Sequence, residues 1–153
     1  MPTSPSSSSL SGRILLLDDN SLGLSARRSV LEELGHNVMT SGAPLEALEL
    51  CGRQRFDVVV TDYKMPKMNG VEFIARLRKQ HPAMSVILIS GFTDTLGLNE
   101  ANTGADVVIQ KSSNEVSHLV RSVNRLLRKG QQPVKKPAAS QLSKTDKAIR
   151  RRS

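Results

Sequence analysis

Three aspartates, a serine and a lysine stand at the ends of short apolar runs, and together they are a set of groups that can move a phosphoryl group. Asp18-Asp19 follows Ile14-Leu15-Leu16-Leu17, Asp62 follows Val58-Val59-Val60-Thr61, Ser90 closes Val86-Ile87-Leu88-Ile89, and Lys111 follows Val107-Val108-Ile109-Gln110. Aliphatic runs without polar alternation read as strands buried on both faces. In an open parallel α/β sheet, the carboxyl ends of the strands border the crevice where ligands bind. Parallel pairing would therefore bring the five groups to one edge. Three carboxylates there repel one another, and at least one stays protonated unless cations accompany them. Lys111 is one cation. A hard divalent ion is the other, and Mg²⁺ suits because it takes one or two carboxylates and fills its shell with water and phosphoryl oxygens. One carboxylate then attacks phosphorus, the metal and Lys111 take up charge on the equatorial oxygens, and the Ser90 hydroxyl donates to one of them. The plainer alternatives are that Asp18-Asp19 only caps a helix and that Ser90 only ends a strand.

The elements that must hold these groups alternate along the chain. Strands are predicted at 13–17, 37–40, 57–61, 85–90 and 106–110. Residues 21–34 form a helix packed through Leu22, Ala26, Val30 and Leu34 and stopped by Gly35. Residues 43–51 form a second, with Pro44 in its first turn and Leu45, Ala47, Leu48 and Leu50 packing. A third covers 71–80 and ends at His81-Pro82. A short helix is expected at 96–101, and the last, at 114–128, packs through Val116, Leu119, Val120, Val123, Leu126 and Leu127. Five alternations imply right-handed crossovers and one parallel sheet with helices on both faces.

Composition narrows the function classes. The formal charge of +8 is uneven: residues 12–129 carry 15 Lys/Arg against 13 Asp/Glu, and residues 130–153 carry 7 against 1. The expected organisation is a Ser/Pro-rich disordered leader at 1–11, a folded body at 12–129 and a disordered basic tail at 130–153 that could contact polyanions weakly. No apolar run approaches the roughly 20 residues of a membrane span, and a cytoplasmic location is expected. One cysteine, Cys51, makes no intrachain disulfide, and three scattered histidines, read as surface or helix-end residues, give no zinc pattern.

Asp18-Asp19-Asn20, Asp62-Tyr63-Lys64-Met65-Pro66-Lys67-Met68-Asn69-Gly70, Ser90-Gly91, Gly104-Ala105 and Lys111 resemble, in order and approximate spacing, the receiver domains of two-component response regulators over about residues 13–128. The resemblance implies a flavodoxin-like five-stranded sheet of order 2-1-3-4-5. It implies Asp62 as phosphoacceptor, Asp19 as direct Mg²⁺ ligand, Asp18 as a ligand through water, and the Lys64 carbonyl on the metal. Ser90 becomes the switch hydroxyl and Lys111 the phosphoryl counter-ion. The partners implied are a sensor histidine kinase or phosphotransfer protein and a downstream protein, with signalling by contact and no released product. Departures from the family pattern are Ser112 after the lysine, where proline is usual, Val108 where an aromatic is common, and a short fourth helix. A metal-dependent phosphatase would want a second aspartate where Lys64 stands. A nucleic-acid binder working through the tail would lack any helix-turn-helix or zinc pattern.

Overall fold

The computed structural model describes residues 11–91 and 96–131. Of the expected leader at 1–11 and tail at 130–153, residues 1–10 and 132–153 lie outside the described residues, and Gly130 and Gln131 belong to the last helix. Five strands, β1 (Arg13–Leu17), β2 (Asn37–Ser41), β3 (Val58–Asp62), β4 (Ser85–Ser90) and β5 (Val107–Gln110), form one sheet of order β2-β1-β3-β4-β5, every pair parallel. The helices are α1 (Ser21–Glu33), α2 (Pro44–Arg53), α3 (Gly70–Gln80), α4 (Glu100–Thr103) and α5 (Glu115–Gln131).

Because successive strand residues point to opposite faces, each strand feeds two cores. Ile14, Leu16, Val58, Val60, Ile87, Ile89 and Ile109 meet Leu31 of α1 and Leu119, Val123, Leu126 and Leu127 of α5. Leu15, Leu17, Val59, Val86 and Leu88 meet Ala47 and Cys51 of α2 and Phe73, Ile74 and Leu77 of α3. All five residues of β3 are buried, which explains its unbroken apolar sequence. Burial also pushes the Cys51 thiol up to about 11, so it packs as a small apolar group.

Several expectations need correction. The face of α1 that packs is not Leu22-Ala26-Val30-Leu34: Leu22 is 80% exposed and Leu34 47% exposed, while the buried residues are Arg27 and Leu31. An arginine stands in the packing stripe, so the apolar periodicity points about a third of a turn away from the face that packs. Leu45 of α2 is likewise exposed at 61%. The helix expected at 96–101 is a single turn, α4, fixed by a reciprocal Asn99–Asn102 capping box and ended by Gly104 at φ 80°; residues 92–95 lie outside the described residues. The last helix continues to Gln131, past the expected stop at Arg128. His36 is buried, and its Nδ1 accepts from the Gly12 N–H at 3.1 Å. Among the described residues every peptide bond is trans, including that after Lys111, and no helix is long and apolar enough to cross a membrane.

Candidate functional site

Strand register builds the site. Leu17, the last residue of β1, pairs with Thr61, and Asp62 pairs with Ile89, so the position after β1 and the end of β3 lie side by side. Ser90 pairs with Gln110, the last residue of β5, and Lys111 follows at once. The ladder runs on past the strand ends through Asp18 N–H to Ser41 O at 3.2 Å, Tyr63 N–H to Ile89 O at 2.9 Å and Lys111 N–H to Ser90 O at 2.9 Å. These bonds fix the backbone of each residue that presents a functional group. Asp18, Asp19, Asn20, Asp62, Lys64, Met65, Pro66, Ser90, Gly91 and Lys111 line one cleft of about 590 Å³. The structure thus brings together all six residues singled out in the sequence: Asp18, Asp19, Asp62, Lys64, Ser90 and Lys111.

Their burial differs in a way that matters for chemistry. Asp18, Asp62 and Ser90 are 2%, 3% and 1% exposed, whereas Asp19 is exposed to solvent. Asp62 carries the strongest local conflict. Burial raises its pKa above the ordinary carboxylate value and the Asp18 charge adds to this, while Lys111, first through its hydrogen bond, and then Arg27 pull it back. Lys111 Nζ forms an ion pair with Asp62 Oδ1 at 2.7 Å, from a side chain still 40% exposed. That oxygen is fully buried and has no aligned hydrogen-bond partner. A carboxylate held this way keeps lone-pair density that an incoming electrophile or cation can engage.

Asp18 is already engaged. Its Oδ1 accepts from the Asn20 N–H at 2.9 Å, and its Oδ2 pairs with Arg27 Nη1 at 2.8 Å. Arg27 reaches onward to Glu115 Oε2 through Nε at 2.8 Å, and its side chain is only 7% exposed. Burial works against the guanidinium charge, but Glu115 and then Asp18 outweigh it, and the Arg27 pKa is raised. Arg27 and Glu115 are the two site residues missing from the sequence reading. The available signal was an arginine flanked by the small residues Ser25, Ala26 and Ser29 on a helix that starts directly after the acidic pair.

The carboxylates fit a hard metal ion. One oxygen from each of Asp18, Asp19 and Asp62 lies within 4.8 Å of the others. In an octahedral shell with oxygens about 2.1 Å from Mg²⁺, ligand oxygens stand about 3 to 4 Å apart, so small side-chain rotations close the set. Each Asp18 oxygen already accepts from a protein group, while Asp19 is exposed and Asp62 Oδ1 has no aligned hydrogen bond, so these two carboxylates are the more open to a metal ion. Asn20 meanwhile caps α1 by accepting from the N–H groups of Leu22 and Gly23. Capping therefore belongs to Asn20, and the plain capping reading of Asp18-Asp19 is not what the structure has.

The loop after β3 is shaped by its sequence. Lys67 takes a φ of 73°, and Asn69 closes a reciprocal capping box with Glu72 at the start of α3. A Cβ on Gly70 would lie 2.5 Å from the Asp62 carbonyl oxygen and 2.7 Å from Leu88 Cδ1. Only glycine lets the helix start press this closely on the strand that bears Asp62.

Comparison with known proteins agrees with this geometry. The family model described as the response regulator receiver domain matches residues 14–124. The alginate biosynthesis transcriptional regulatory protein AlgB of Pseudomonas putida is 38% identical over 79 residues, covering 52% of this chain and 18% of AlgB. The chain spans about a fifth of the length of such curated relatives. Among solved structures, the Francisella response regulator 1452 receiver domain has a TM-score of 0.71 at 28% identity, covering 78% of this chain and 99% of that one. Thermotoga maritima TrrA, solved in complex with Mg²⁺ and BeF, has a TM-score of 0.67 at 28% identity, covering 74% and 97%. With the sheet order, the acidic cleft and a match over most of the folded body all in agreement, the chain belongs to the response regulator receiver domain family of two-component systems.

Proposed function

We propose that this chain accepts a phosphoryl group on Asp62 from a histidine kinase or phosphotransfer protein, with Mg²⁺, and signals through protein contact. The observation that carries this reading is the convergence of Asp18, Asp19 and Asp62 within 4.8 Å, with Lys111 at 2.7 Å from Asp62 Oδ1. An Asp62 oxygen attacks the phosphorus of the donor, a P–O or P–N bond to the leaving group breaks, and an acyl phosphate results. Asp19, Asp62 and the Lys64 carbonyl, with Asp18 behind them, would hold Mg²⁺, which would neutralise charge on the transferring group. Lys111 pairs with one phosphoryl oxygen, and Ser90, at the end of β4, donates its hydroxyl to another. The new group adds about −1.5 to −2 charge, so Lys111 and Ser90 are drawn towards Asp62. Protein contact, in place of a released product, then reads that movement.

The residues divide the labour in a testable way. Asp19→Ala should abolish Mg²⁺ quenching of the single tyrosine, Tyr63, which adjoins Asp62, and should stop phosphoryl uptake with it. Lys111→Ala should retain metal binding and uncouple uptake from response, read as loss of the phosphorylation-induced amide shifts from Ser90 to Gly104. Normal shifts in Lys111→Ala, or uptake by Asp19→Ala at the parent rate, would overturn these assignments.

A further inference from the structure

The last helix presents a charged surface that the phosphoryl site does not use. His118, Arg121, Arg125 and Arg128 recur at steps of three and four residues and are all exposed, so they form one stripe along α5, with Lys129 beside them. They border a groove of about 400 Å³ whose other walls are Ser122 and Asn124. Every ion pair found among the described residues lies elsewhere: Arg27 with Asp18 and Glu115, Arg28 with Glu32, Arg78 with Asp106 and Lys111 with Asp62. Three guanidiniums therefore stand over about 10 Å of helix axis with no carboxylate partner among the described residues.

We infer that this stripe binds the phosphate backbone of duplex DNA without sequence preference. The composition of the stripe separates the candidates. A protein partner would need a desolvated apolar or aromatic centre, and this groove is lined only by polar side chains. An anionic membrane would attract the same cations by charge alone, but Leu119, Val123, Leu126 and Leu127 are spent on the core, so α5 has no apolar face to insert and anchor there. A phosphate backbone needs neither. It presents about one charge per 1.7 Å of duplex, and guanidinium is the side chain suited to bidentate phosphate contact. The half-buried Asn124 and the exposed His118 beside the arginines are further donors of the kind that bind phosphate oxygens. The sequence after α5 carries seven more cations, Lys135, Lys136, Lys144, Lys147, Arg150, Arg151 and Arg152. Binding at the stripe concentrates the signalling body on nucleic acid while leaving the cleft at the strand ends open.

The test is fluorescence anisotropy of a labelled duplex with the full chain across a range of NaCl concentrations. Replacing Arg121→Gln, Arg125→Gln and Arg128→Gln together should make the slope of log K against log salt shallower by about 2.7, the share of three phosphate contacts. Circular dichroism and phosphoryl uptake at Asp62 should be unchanged in that variant. A second variant with all seven tail cations changed to Gln should keep a slope of about −2.7 from the helix alone. A duplex of scrambled sequence should bind equally. An unchanged slope in the helix variant, loss of all binding in the tail variant, or polyglutamate binding as tightly as DNA at equal charge concentration would each overturn the inference. Asp62→Asn should bind the duplex as the parent does, so failure here and failure of the phosphoryl reading are separate results.

Discussion

Asp62 is placed where its charge is costly until a partner arrives, and this gives it a pH signature. Its pKa is raised in the folded state, chiefly by burial, so the folded protein holds that proton more tightly than the unfolded chain. Stability from this group is full below the ordinary carboxylate range and is lost as pH rises through the folded value. Asp62→Asn should therefore melt above the parent at pH 7 in EDTA, and the difference should shrink on acidification; equal melting at pH 7 would contradict the conflict described. His36 runs the other way. Burial lowers its pKa, so its contribution is present above the ordinary histidine value near 6.5 and lost as pH falls below it. His36→Asn, which keeps an acceptor for the Gly12 N–H, should flatten the fall in melting temperature between pH 7 and 5.5. Gly70→Ala should cost about 1–3 kcal/mol in urea unfolding, because the added methyl meets the Asp62 carbonyl oxygen at 2.5 Å.

At the scale of elements, the Arg27 bridge is the part of the site that connects to something else. It joins the acidic end of β1 to the first turn of α5 through two 2.8 Å contacts with almost no solvent. Arg27→Met leaves Asp18 buried without its partner, and breaking such a pair typically costs about 3–5 kcal/mol. The double variant with Glu115→Gln should cost less than the sum of the two single changes, because they share one interaction; strict additivity would show that the bridge is not a unit. The same residue separates the packing face of α1 from its apolar periodicity. Amphipathic reading assigns arginine to solvent, so an arginine in the packing stripe rotates the inferred face towards Leu22 and Leu34. The strands and their acidic ends were legible because both-face burial leaves an uninterrupted aliphatic run and because parallel order follows from alternation with helices. The turn at α4 was not, since its boundaries rest on the Asn99–Asn102 capping box and the left-handed Gly104 and not on apolar periodicity. His36 escaped notice because burial through one backbone hydrogen bond leaves no sequence pattern.

The whole molecule brings an acidic cleft at the strand ends and a basic stripe on α5 into one body. Lys64, the Asp18-Asp19 pair, Ser90 and Lys111 were readable as members of the cleft because each terminates an element or opens a loop. Arg27 and Glu115 were not, since their meeting depends on how α1 and α5 pack, a contact spanning 88 positions. Asp62 is the group proposed to be phosphorylated. Incubation with acetyl phosphate and Mg²⁺, followed by intact-mass measurement and borohydride trapping, addresses this most directly. The expected result is one phosphoryl group, lost in base and mapped to Asp62, absent without Mg²⁺ and absent in Asp62→Asn. Uptake by Asp62→Asn at the parent rate would contradict the account.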